Sequence, residues 1–65
     1  MIAKPTGTID EIGMDNIVLD VNGVGYLVFC SSRTIGAIGG KGDGATIYTE
    51  MQVSETDMRL MGFAS

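Results

Sequence analysis

The sequence predicts a small all-β domain with one short helix, and three observations carry that prediction. Ala45 to Val53 alternates without a slip: Ala45, Ile47, Thr49, Met51 and Val53 fall on one side of an extended chain, and Thr46, Tyr48, Glu50 and Gln52 fall on the other. That period of two marks a half-buried strand. The chain is also rich in turn formers, with 10 glycines in 65 residues. Only Ser31 to Ile38 shows helical spacing, with Ile35 and Ile38 three apart.

The first strand is expected over Ile2 to Ile12. Pro5 has no amide hydrogen and belongs at an edge or near a strand start. Gly7 signals a bend, a bulge or a close backbone approach. Gly13-Met14-Asp15-Asn16 is a turn by composition. The second strand, Asn16 to Val21, places Ile17, Leu19 and Val21 on one face. Asn22-Gly23 is a strong hairpin signal, since both residues tolerate positive φ. The third strand, Val24 to Cys30, is apolar on both faces, which predicts a central position or a covering element. By the same reasoning Phe29 and Phe63 are expected in the core, and Tyr48 outside it.

Ser31 or Ser32 caps the helix, and Gly39-Gly40 end it. Lys41 to Gly44 is a loop. The fourth strand then runs to Val53. Ser54-Glu55-Thr56-Asp57 breaks the pattern, and alternation resumes through Met58, Leu60 and Gly62. Two alternating runs around a short polar break form a β-hairpin with acids at its tip. The order of three strands, short helix and two strands matches the five-stranded Greek-key barrel called the OB-fold. We therefore expect an OB-fold barrel of five to six strands over residues 1–63, with its helix between the third and fourth strands. An SH3-like barrel competes but usually lacks that helix.

A chain of 65 residues makes one domain at most. At this size about 60% of the unfolded surface is buried, so the core is marginal alone. Apolar surface is expected to remain for neighbours around Ile2, Tyr48 and Met61. Four basic and eight acidic residues give a net charge of −4. That balance argues against independent binding to nucleic-acid phosphates or to an anionic membrane. Cys30 is the single cysteine, so no internal disulfide forms, and a small buried hydrophobe is expected there. With no signal peptide and no membrane-length apolar run, the expected compartment is the cytoplasm.

Catalytic chemistry lacks its parts. There is no histidine to activate a serine or cysteine, or to join Cys30 in a zinc site. Gly39-Gly40-Lys41-Gly42-Asp43-Gly44 looks like a phosphate loop but fails the spacing, because Gly42 follows Lys41 where Ser or Thr is required. Glu55 and Asp57 could in principle serve as acid and base or hold magnesium, but no neighbouring residue supports either role. No cofactor is expected.

The whole chain resembles the RuvA N-terminal domain family. The resemblance rests on Met1-Ile2 with Gly7, on Gly23-Val24-Gly25-Tyr26, and on Val53, Glu55, Leu60 and Gly62-Phe63 in order. It implies a noncatalytic OB domain that helps build a homotetramer on Holliday-junction DNA, in recombination and DNA repair. It also implies a following helix-hairpin-helix domain that grips DNA, with Ala64-Ser65 starting the linker to it. The RuvB ATPase and the RuvC nuclease would be partners through the full complex. The hairpin tip is implied to be an acidic pin at the junction centre, here Glu55 and Asp57. Carboxylates there would repel phosphates by about 1 kcal/mol per close pair in water. The usual pattern is Val-Arg-Glu-Asp; here Ser54 replaces the arginine, and the second acid stands one place on, at Asp57. The other reading of the residues is a generic OB or SH3-like module that binds single strands or a peptide.

Overall fold

The computed structural model describes residues 2–63; the linker expected at Ala64-Ser65 lies outside them, as does the side chain of Ile2. Along the chain come β1 (Ile2–Ala3), β2 (Thr6–Ile12), β3 (Asn16–Val21), β4 (Val24–Phe29), α1 (Ser32–Ile38), β5 (Gly44–Thr46), β6 (Tyr48–Val53) and β7 (Met58–Phe63). The expected first strand is β1 plus β2, broken at Pro5. The expected fourth is β5 plus β6, broken at Ile47. The helix lies between the third and fourth strands of that count.

The sheet order is β1-β6-β7-β4-β3-β2-β5. Its two ends are the same pair of strands. β1 meets β6 through Ile2↔Glu50 and Ala3↔Thr49, and β2 meets β5 through Thr6↔Thr46, Gly7↔Ala45 and Thr8↔Gly44. Each step forward from Ile2 is a step back from Glu50, so this is one antiparallel ladder. The Ile47 N–H donates to the Pro5 carbonyl at 3.1 Å in the gap. Pro5 cannot return that bond, which is why both strands are interrupted there. The ladder closes the sheet into a barrel. Its seam on the other side is the parallel contact of β4 with β7, through Val28↔Leu60 and Phe29↔Met61. This is the small all-β, OB-like barrel that the sequence predicts.

Ile9, Ile17, Leu19, Val28, Cys30 and Ile47 form the core, and Val21, Ile35, Ile38, Ala45 and Leu60 pack against it. The alternation expected for β3 and for β5–β6 is therefore met where the strands line the barrel. Cys30 is buried, and burial pushes its thiol pKa up. α1 covers the core with Ile35, Ile38 and buried Thr34. Its N-cap is Ser31, whose Oγ accepts the Thr34 N–H at 3.2 Å. Replacing Ser31 with alanine is expected to cost about 1 kcal/mol. That would show as a lower urea midpoint with an unchanged slope.

Gly7 and Gly62 mark the closest approaches in the barrel. A Cβ on Gly7 would run into the Asp20 carbonyl of the neighbouring strand. Gly62 is buried, and a Cβ there would lie 2.6 Å from Val28 Cγ1, 2.9 Å from Cys30 Sγ and 3.0 Å from Ile47 Cγ2.

Two expectations are corrected. Phe63 is 43% exposed, and Phe29 lies half-buried outside the core. Val28 and Gly62 face inward, so their neighbours Phe29 and Phe63 must face out. β4 is central, between β3 and β7, and its outward-facing Leu27 is exposed. Tyr48 is exposed as expected, whereas Met61 is half-buried.

Candidate nucleic-acid interface

β6 and β7 outrun the barrel. Their ladder has six pairs, from Tyr48↔Phe63 to Val53↔Met58. On one flank β1 pairs with β6 only as far as Glu50. On the other, β4 pairs with β7 only at Leu60 and Met61. Residues 52–59 are therefore paired only with each other, as a two-stranded ribbon. Met51, Val53 and Met58 continue the inward-facing row, yet all are exposed, with Val53 at 68%. The core has ended beneath them. Near the base of the ribbon this row borders a groove lined by Ala3, Lys4, Pro5, Tyr26, Thr49, Met51 and Leu60.

The tip is a tight turn. The Ser54 N–H donates to the Asp57 carbonyl at 2.8 Å, and Ser54 Oγ donates to the same oxygen at 3.3 Å. Asp57 Oδ1 accepts the Met58 N–H at 2.9 Å. Glu55 stands at the apex, exposed to solvent. The ion pairs among the described residues are Lys41–Glu11 and Arg59–Asp57, so Glu55 has no cationic partner among them.

Asp57 differs. Its Oδ2 accepts Arg59 Nε at 2.5 Å. That hydrogen bond, more than the Met58 N–H, holds its carboxyl below the usual carboxylate range. The structure thus brings Asp57 to Arg59, a cation on the outer face of β7, and leaves Glu55 alone. The sequence offers Arg59 as a cation that could cancel a charge at the tip, and the structure sets it on Asp57. The i, i+2 spacing of Asp57 and Arg59 along an extended chain was the available signal, since it puts both on one face.

The glycine run takes the loop reading. The Gly40 N–H donates to Asp43 Oδ2 at 2.8 Å, and the Gly42 N–H donates to the Ile9 carbonyl at 2.7 Å. With those amides occupied internally, the loop has no open cradle for a phosphate. Among the described residues no cluster of three or more His, Cys, Asp or Glu could hold a metal ion. No helix is long and apolar enough to cross a membrane.

Barrel and ribbon together define the class: a small OB-type module whose distinguishing feature is an acidic hairpin carried beyond the core. The chain belongs to the RuvA N-terminal domain family, whose model, described as "RuvA N terminal domain", matches residues 1–62. Three similar curated proteins each bear the name Holliday junction branch migration complex subunit RuvA. The one from Novosphingobium aromaticivorans is 60% identical over 100% of this chain and 32% of its own length. That from Erythrobacter litoralis is 59% identical over 98% of this chain and 32% of its own. That from Rhizobium meliloti is 52% identical over 100% of this chain and 32% of its own. The chain thus spans about a third of the relatives it matches.

Proposed function

We propose that this chain is the N-terminal, noncatalytic domain of a cytoplasmic branch-migration subunit that assembles as a homotetramer on Holliday-junction DNA. Junction binding would come through the full-length protein, with the RuvB ATPase as the motor and the RuvC nuclease as a further partner. The domain's own task is to present Glu55 where the four arms meet. The observation that carries this reading is the ribbon: an exposed carboxylate without a cationic partner among the described residues, at the tip of a hairpin that projects past the barrel. Such a group does not bind DNA. It repels phosphates, by about 1 kcal/mol at 4 Å in water and more where water is excluded. A fourfold arrangement would multiply that repulsion at the centre and keep the backbones off the axis. Asp57 would add less, because Arg59 offsets its charge. The names of the relatives and the domain's acidic balance support the same reading.

Reversing the charge tests it. In the full-length protein, Glu55→Lys is expected to turn that repulsion into an attraction of similar size. Junctions should bind as tightly or more tightly, and strand parting and RuvB-driven migration should slow. Unchanged migration would remove Glu55 from the role. The competing reading, a module that binds single strands by itself, predicts salt-dependent binding of an oligonucleotide by this chain alone. A low-salt titration without binding excludes it. Sedimentation of the full-length protein tests the tetramer.

A further inference from the structure

A two-stranded ribbon is marginally stable in water on its own. The ribbon of residues 52–59 therefore needs an anchor if its tip is to keep one direction. Its apolar row points at solvent, and β7 leaves β4 at Leu60. Beyond that point an outer-face contact ties the ribbon to the barrel wall: the Arg59 guanidinium lies 5.0 Å from the centroid of the Phe29 ring. Phe29 pairs with Met61, so Arg59 is its diagonal neighbour on the same face of the sheet.

We propose that Asp57, Arg59 and Phe29 form a clasp that fixes where the tip points, and that Asp57 is a positioning residue rather than a second repelling charge. The inference rests on the reading of Glu55 given above. Asp57 binds the tip through its main-chain carbonyl, to Ser54, and through Oδ1, to the Met58 N–H. Its other oxygen holds Arg59, whose guanidinium carbon lies over the Phe29 ring. Turn, strand and barrel wall are thus joined in series by one carboxylate and one guanidinium. Arginine suits this task because it can donate in its plane while stacking through its face; lysine cannot do both. An exposed pair of this kind contributes little to global stability. A ribbon with no core beneath it is ordered by small terms, however, so local order is where the clasp acts. The acid at Asp57 and the base at Arg59 form a unit, with the base across the ladder from Gln52 and on the same face as Ser54.

The test uses the opposite charge effects of two substitutions. Asp57→Asn removes a negative charge from the tip, and Arg59→Gln removes a positive one. If both residues act through charge, the two variants shift strand parting in opposite directions. If they form a clasp, both shift it the same way, toward less parting. Parting is read in the full-length protein from the fluorescence of 2-aminopurine placed at the junction crossover. Tip order is read separately, without DNA, from NMR order parameters over residues 54–57. These are expected to fall from about 0.85 to below about 0.6 in both variants, and in charge-conserving Arg59→Lys. Unmoved order parameters, or parting shifted in opposite directions, overturn the clasp. If tip order falls while neither variant nor Glu55→Lys alters parting, the clasp stands and the assignment of Glu55 is the part that fails.

Discussion

Gly62→Val is expected to destabilise the chain by about 3 kcal/mol or more. Gly62 lies on β7 opposite Thr49, where the last strand passes over the densest part of the core. A single Cβ there already meets Val28 Cγ1, Cys30 Sγ and Ile47 Cγ2 at 2.6 to 3.0 Å. Val28 and Ile47 are fully buried, and Cys30 is 4% exposed, so none has free volume to move into. Overpacking of this kind costs about 1–3 kcal/mol for a few atoms, and the two further methyls of valine add to it. The total stability of a 65-residue domain is about 3–10 kcal/mol. Far-UV circular dichroism and a urea titration read the result. A cooperative transition within about 1 kcal/mol of the parent would mean that β7 can shift outward, and that the barrel is less tightly closed at this seam than its geometry requires.

Leu19→Ala should cost about 2–5 kcal/mol. Leu19 is fully buried on β3, which is bonded on both sides, with Leu19 opposite Ile9 of β2 and Tyr26 of β4. Leu19 is one of six buried apolar residues in the core cluster of the described chain, so its removal leaves a void that few neighbours can fill. Strand pairing on both flanks prevents the backbone from collapsing into it. The loss should appear as a lower urea midpoint with an unchanged slope. A loss below about 1 kcal/mol would show that α1 or the loops settle into the space.

Most of the strand plan was legible in the residues. Alternation at Ile17, Leu19, Ala45, Ile47 and Thr49 reports which side of a strand is wet, because each side chain points opposite to the one before. Asn22-Gly23 and Ser31 act through local geometry that tertiary contacts leave alone; Asn22 does take a positive φ, of 54°. Phe29 and Phe63 were misplaced because hydrophobicity was allowed to outweigh parity. Each adjoins an inward residue, and the outer face of a small barrel has no second layer to bury an aromatic ring. At the site, the tip and its acids could be read off the sequence, but the state of each acid could not. Glu55 and Asp57 are chemically alike and two residues apart. Only the fold of the turn shows that one is bonded to Arg59 and that the other has no cationic partner among the described residues.

The amino-acid order by itself determined the strands, the helix, the turns and the family, since these depend on spacing and on residue chemistry within a few positions. The tertiary structure decided where the barrel closes, that Gly62 lies beneath three side chains, and that the final hairpin extends past its core. Those facts depend on contacts between residues far apart in the chain. A period of two says which way a side chain points, but not whether another strand is there to meet it.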